Sequence, residues 1–127
     1  MRPLRALVVD DDPLTLEAVR RVLALAGHQV RVLSGGFGFA CALRDFEPDV
    51  VLLDIHMPGL DGRGALRAAR ELQQIRPGRP LVYLHSGLSA EHLDELCREI
   101  GADGFICKPA RRDDLLRTMI TAAEPAQ

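Results

Sequence analysis

The segment Leu4–Pro13, LRALVVDDDP, decides the fold of this chain. Residues 4–9 are mostly apolar and predict a strand that is buried on both faces, as in a parallel sheet. Three aspartates follow, and Asp12 before Pro13 is typical of a helix start, with an N-cap carboxylate and proline at the first helical position. A buried strand that leads directly into a helix is the first half of a β-α-β unit, so the segment predicts an α/β fold.

The same alternation continues along the chain. Spacings of three and four between apolar residues predict helices over 13–26, 39–46, 62–75, 90–100 and 113–122, and apolar runs predict strands over 29–33, 50–53, 81–84 and 104–107. Five strands alternating with five helices indicate a doubly wound parallel sheet with right-handed crossovers and helices on both faces. Ligands bind such sheets beyond the carboxyl ends of the strands.

Composition narrows the class of protein. The chain has 127 residues, 47% of them hydrophobic and 27% charged, which fits one globular domain. The net charge of −2 gives no field for nucleic acid or an anionic membrane, so we expect no direct binding to either. The sequence lacks an apolar run of the ~20 residues that span a bilayer. Its three cysteines do not have the spacing of metal ligands, and we interpret them as reduced thiols of a cytoplasmic protein. We expect one domain over 1–122 and a frayed tail over 123–127.

Polar residues follow four of the predicted strands. Each has a plain structural interpretation by itself: a turn aspartate, a loop serine or a solvated lysine. The carboxyl ends of parallel strands, however, meet at one edge of the sheet, so these side chains are expected to lie together. They are Asp10 and Asp11 after the first strand, Asp54 after the third, Ser86 after the fourth and Lys108 after the fifth.

Such a group of side chains has a definite chemistry. Two carboxylates about 4 Å apart repel by ~4 kcal/mol at an effective dielectric constant of ~20, so the three acids require a cation among them. Oxygen ligands with room for water suit Mg²⁺. Lys108 and Ser86 would add a positive charge and a hydrogen-bond donor. This combination could neutralise a phosphoryl group that is transferred to a carboxylate nucleophile.

Four segments together resemble the receiver domain of two-component response regulators, and the resemblance covers essentially the whole chain. They are residues 7–12 (LVVDDD), 49–62 (DVVLLDIHMPGLDG), 86–87 (SG) and 101–109 (GADGFICKP). The resemblance implies a flavodoxin-like (βα)5 fold with strand order 2-1-3-4-5. Residue spacing alone does not give that order.

The resemblance also implies a metal site and a phosphoacceptor. Asp54 would accept the phosphoryl group from a phosphohistidine. Asp11 would bind Mg²⁺ directly and Asp10 through water, and Asp54 and the backbone carbonyl of His56 would complete the protein ligands. The donor would be a sensor histidine kinase or a phosphotransfer protein.

The remaining positions would transmit and time the signal. Lys108 and Ser86 would bind phosphoryl oxygens, and Phe105 would turn inward as Ser86 moves, remodelling the surface of the fourth helix, fifth strand and fifth helix. Serine and phenylalanine stand where threonine and tyrosine are more frequent in the family. His56 and Leu88 occupy positions that tune hydrolysis, and the apolar Leu88 predicts a long-lived phosphoryl group.

Other interpretations remain open at this point. As a signalling switch, the protein is expected to act on a downstream target or effector domain, and phosphorylation could also bring two copies together as a homodimer. It is expected to catalyse only its own phosphotransfer and dephosphorylation, without turnover of a separate substrate. Phosphatases with an aspartate nucleophile usually carry a second acid two residues on, where this chain has His56. A pseudo-receiver that only docks would not need the full acidic set. A receiver excised from a larger regulator or hybrid kinase would have this same sequence.

Overall fold

The computed structural model describes residues 2–57 and 61–124. Within that part of the chain, strands and helices alternate as the sequence predicts. The strands are β1 (Arg5–Val9), β2 (Gln29–Leu33), β3 (Val50–Leu53), β4 (Leu81–Ser86) and β5 (Gly104–Cys107). The helices are α1 (Pro13–Leu25), α2 (Phe39–Phe46), α3 (Gly62–Gln73), α4 (Ala90–Ile100) and α5 (Arg112–Ala123).

The five strands form one parallel sheet in the order β2-β1-β3-β4-β5. This confirms the flavodoxin-like order that the resemblance implies. Because β1 lies next to both β2 and β3, the chain changes its direction of winding at β1, and ligand sites of such sheets lie beside that point.

Helices cover both faces of the sheet, and alternate residues of each strand point to opposite faces. On β1, Leu7 and Val9 pack with α2, α3 and α4, whereas Ala6 and Val8 pack with α1 and α5. All four residues of β3 are buried, as expected for a strand covered on both sides. This double cover fixes the strand ends from which the polar residues project.

The ends of the helices agree with most of the predicted signals. Asp12 caps α1 by accepting the N–H of Leu14, and Ser89 caps α4 by accepting the N–H of His92. α3 ends at Gln73, two residues before the predicted end, because the chain then turns toward the proline-rich loop. Residues 59 and 60 of the predicted turn and residues 125–127 of the predicted tail lie outside the described residues, whereas Asp61 caps α3 and α5 includes residue 123. The division into domain and tail therefore stays a prediction.

Candidate functional site

Backbone hydrogen bonds hold the polar residues at the carboxyl edge of the sheet. The N–H of Asp10 donates to the carbonyl of Leu33 (3.1 Å), and the N–H of Asp54 donates to the carbonyl of Val9 (2.9 Å). The N–H of Lys108 likewise donates to the carbonyl of Ser86 (2.7 Å). These bonds continue the hydrogen-bonding pattern of the sheet one residue past its strands, so the backbone that carries the polar side chains is held in place.

Three carboxylates converge at this edge, as the sequence predicts. Asp10, Asp11 and Asp54 each offer one oxygen, and the three oxygens lie within 4.8 Å of one another. Asp10 and Asp54 are buried and Asp11 is exposed. The repulsion within this group is therefore screened by water on one side only.

Lys108 partly balances these charges. Its Nζ lies 2.6 Å from Asp10 Oδ2 and 3.3 Å from Asp54 Oδ2. Burial acts to lower the pKa of Lys108, but the two carboxylates outweigh it and raise the pKa above its ordinary value. Lys108 is therefore charged at neutral pH, and one ammonium faces three carboxylates.

The excess negative charge of the three carboxylates and the remaining lone pairs of their oxygen atoms fit a divalent cation. Asp10 Oδ1 accepts the N–H of Asp12, and Asp54 Oδ1 accepts the N–H of His56. The other two oxygens, Asp10 Oδ2 and Asp54 Oδ2, each lie against Lys108 Nζ, and a carboxylate oxygen with one such contact still has a lone pair for a metal. A cluster of oxygen donors with excess negative charge and one exposed member can bind a hard metal ion with water in its coordination sphere.

Asp12 does not join this cluster. Its carboxylate accepts the N–H of Leu14 and the hydroxyl of Thr15. The Thr15 hydroxyl is the main reason that the pKa of Asp12 lies below its ordinary value. The structural role expected from the Asp-Pro sequence is thus the one observed.

The residues predicted to transmit the signal lie on the neighbouring strands. Ser86 is fully buried, and its Oγ accepts the N–H of Leu88 at 3.2 Å. Phe105 and Leu88 are half-buried and pack against the core between the sheet and α2–α4. The His56 side chain is exposed. The described structure therefore brings Asp10, Asp11, Asp54 and Lys108 together, and it shows no hydrogen bond between Ser86 and Asp54.

His85 is a feature that the sequence interpretation left as structural. Its register partner on β5 is Ile106, which packs with α1 and α5, so His85 points to the same side. It is buried there beside Lys108. A histidine that directly follows the mostly apolar run Leu81–Leu84 of the same strand was the signal that could have drawn attention to it.

Fold and site together define a doubly wound α/β domain with an acidic edge that can bind a metal. The family model for the response regulator receiver domain matches residues 6–120. The chain therefore belongs to the response regulator receiver domain family.

The relatives with similar sequences include a sensory/regulatory protein and response regulators. The sensory/regulatory protein RpfC of Xanthomonas campestris pv. campestris is 32% identical over 97% of this chain and 17% of that protein. The response regulator MprA of a Mycobacterium species is 35% identical over 92% of this chain and 49% of that protein. A solved receiver domain from Bermanella marisrubri is 32% identical, with a TM-score of 0.80 over 97% of this chain and all of that one. The chain thus spans half or less of the length of these two curated relatives.

None of the helices in the described residues has the length and apolar character needed to cross a membrane.

Proposed function

We propose that Asp54 accepts a phosphoryl group from the phosphohistidine of a sensor histidine kinase or phosphotransfer protein. The observation that carries this proposal is the buried Asp54 carboxylate, 3.3 Å from the Lys108 ammonium and grouped with Asp10 and Asp11. Membership of the receiver family supports the same assignment.

The chemistry is a displacement at phosphorus. An Asp54 carboxylate oxygen forms the new O–P bond while the P–N bond of the donor breaks, and the imidazole nitrogen keeps the electron pair and takes up a proton. Lys108 stands where it can neutralise the phosphoryl oxygens. Mg²⁺, held by the carboxylates of Asp10, Asp11 and Asp54 and the backbone carbonyl of His56, would supply further charge neutralisation.

Ser86 and Phe105 are proposed to report the new group. The Ser86 Oγ accepts a hydrogen bond from Leu88, which leaves its own proton free to donate. A phosphoryl oxygen is a charged acceptor and forms a stronger bond than a neutral one. Movement of Ser86 toward that oxygen would let Phe105 turn inward and alter the surface of α4, β5 and α5.

That surface would then engage a downstream target, an effector domain or a second copy of the chain. The chemistry uses one phosphoryl group per molecule, so we propose a switch that catalyses only its own phosphotransfer and dephosphorylation. We also propose that it acts in the cytoplasm. Relatives that are longer than this chain, of which it covers 17% and 49%, support the idea that this domain can belong to a larger regulator or hybrid kinase.

Intact mass measured after incubation with acetyl phosphate and Mg²⁺ tests the proposal. We expect one phosphoryl adduct on the wild type, none on Asp54→Asn, and none when EDTA replaces Mg²⁺. Asp45→Asn changes an exposed aspartate on α2 and should keep the adduct. A wild-type mass that stays unchanged, with acetyl phosphate and with an active histidine kinase, would favour a pseudo-receiver that only docks.

A further inference from the structure

A group of arginines lies at the edge of the sheet where the strands begin, opposite the edge that carries the acidic site. Asp49 directly precedes β3 and Asp54 directly follows it, so the two aspartates are about 16 Å apart along an extended strand. Asp49 is buried, and its backbone bonds to the carbonyl of Arg5 and the N–H of Leu81 hold it among β1, β3 and β4. The phosphotransfer proposed above makes no use of this edge.

One arginine already pairs with the Asp49 carboxylate. Nη2 of Arg76 donates to Asp49 Oδ1 (2.9 Å), and its Nη1 donates to the carbonyls of Glu47 and Pro48. The second oxygen of Asp49 accepts the backbone N–H of Arg5. These bonds tie the loop after α3 to the start of β3, so Asp49 and Arg76 have a structural role that needs no ligand.

Two further guanidinium groups lie near the same carboxylate. Nη1 of Arg79 is 4.0 Å from Asp49 Oδ1 and has no hydrogen-bond partner among the described residues. The pKa of Arg79 is lowered mainly by burial and further by the charges of Arg2 and Arg76, whereas Asp49 acts to raise it. Arg2 is exposed, and the side chains of Arg76 and Arg79 are 32% and 14% exposed. We call Arg2, Asp49, Arg76 and Arg79 the arginine cluster.

The arginine cluster has an excess of positive charge. Guanidinium groups stay charged in proteins, so three cations face one carboxylate and two positive charges are uncompensated. Arg5 and Glu47, which neighbour the cluster, carry opposite charges and do not change this balance. Like charges held together in a partly buried position repel one another unless a counter-ion joins them. An anion is therefore the kind of ligand that this cluster would bind.

Charge and geometry together narrow the class of anion. A guanidinium presents its donors in a planar fork that matches the oxygens of a phosphate or carboxylate. A phosphate monoester carries about 1.5–2 negative charges at pH 7 and would neutralise the cluster, whereas a carboxylate carries one and would leave it positive. A polyanion such as nucleic acid would bring more charge than the cluster can balance. A small molecule with one phosphate group fits best.

We propose that the arginine cluster binds a small molecule through a phosphate monoester group that lies against Arg2, Arg76 and Arg79. This binding goes beyond the proposed phosphotransfer and does not depend on it. It requires no Mg²⁺ and should persist in Asp54→Asn.

Titration of the full chain with phenyl phosphate in Mg²⁺-free buffer, followed by amide chemical shifts, tests the proposal. Phenyl sulfate is the matched probe, with the same ring and ester oxygen but a single negative charge. We expect shifts at Arg2 and in residues 47–49 and 76–79. Affinity for phenyl phosphate should be about fivefold higher than for phenyl sulfate, the factor that one further ion pair at a partly exposed site can supply.

Two variants locate the binding. Arg2→Gln removes an exposed guanidinium outside the core and should lower the affinity for phenyl phosphate about fivefold. Arg67→Gln removes an exposed arginine of α3 that is not part of the cluster, and it should keep the wild-type affinity. Absence of shifts in the wild type, equal affinity for the two probes, or equal affinity of the two variants for phenyl phosphate would overturn the proposal.

Discussion

Lys108 Nζ lies 2.6 Å from Oδ2 of Asp10, a carboxylate that is completely buried at the end of β1. Lys108 is the only lysine of the sequence, in which every other basic residue among the sixteen is arginine. Its compact ammonium also reaches Asp54 and so joins the ends of β1, β3 and β5. We therefore expect the contact that is proposed to serve phosphoryl transfer to stabilise the domain as well.

Removal of this ammonium should destabilise the protein. Lys108→Met leaves two buried carboxylates without their cation, and we expect a loss of about 2 kcal/mol, less than the ~3–5 kcal/mol of fully buried pairs because Lys108 is partly exposed. Urea unfolding in EDTA measures the loss. Arg117→Met, in an exposed pair with Asp114, should change stability by less than ~0.5 kcal/mol. Equal stability of Lys108→Met and wild type would contradict this interpretation.

Added Mg²⁺ should stabilise the folded state. A ligand at ten times its dissociation constant contributes about 1.4 kcal/mol to the free energy of unfolding. Asp11→Asn removes an exposed cluster carboxylate and should abolish most of that gain, whereas Asp12→Asn removes the adjacent charge, keeps an N-capping side chain and should retain it. Thermal unfolding with and without Mg²⁺ distinguishes the two. If both variants lose the Mg²⁺-dependent gain in stability equally, Mg²⁺ acts by screening the local negative charge and does not bind at a defined site.

The sequence predicted the parts of the fold that depend on local patterns. The apolar run of β3 and the Asp-Pro start of α1 each point to one structure, because burial on both faces and N-capping leave few alternatives. The convergence of Asp10 and Asp54 then followed from the direction of parallel strands. The order of the strands could not be predicted from local patterns, because it depends on how segments far apart in the chain pack together. The predicted order came from the family resemblance.

Details of side-chain contact were beyond the sequence as well. The bond of Ser86 Oγ to the N–H of Leu88 and the Lys108–Asp54 pair depend on rotamers set by neighbours far along the chain. The burial of His85 beside residues of α1 and α5 also depends on how distant segments pack. Periodicity assigns such a residue to a face but does not show what lies opposite it.

Stability should fall in mild acid because two histidines are buried. Burial lowers the pKa of His28 and of His85, and Nδ1 of His28 accepts the N–H of Leu4. As the pH falls below the ordinary histidine value of about 6.5, the unfolded chain takes up protons before the folded one, so stability that is complete above that value is progressively lost. Urea unfolding at pH 7.5 and 5.5 should show this loss. His28→Gln should reduce it, and exposed His92→Gln should leave it unchanged.

Ser86 should be needed to transmit the signal and not to accept the phosphoryl group. Ser86→Ala keeps the cluster of carboxylates and Lys108, so acetyl phosphate should still add one phosphoryl mass to Asp54. Without the hydroxyl, phosphorylation-induced amide shifts in α4, β5 and α5, including Phe105, should fall by half or more. Ser34→Ala, at an exposed loop position, is the control and should keep the full shifts. Wild-type shifts in Ser86→Ala would remove this residue from the proposed switch.

The phosphoryl group on Asp54 should be long-lived. Leu88 is half-buried beside Ser86 and offers no polar atom to orient an attacking water, so we expect a half-life of minutes or longer. Leu88→Asn supplies an amide that can hold such a water and should shorten the half-life several-fold. Leu88→Ala separates two explanations, because it removes bulk without adding a polar group. If Leu88→Ala speeds hydrolysis as much as Leu88→Asn, the side chain acts by blocking access. Intact mass followed over time after removal of the donor measures each rate, and a wild-type half-life of seconds would contradict the prediction.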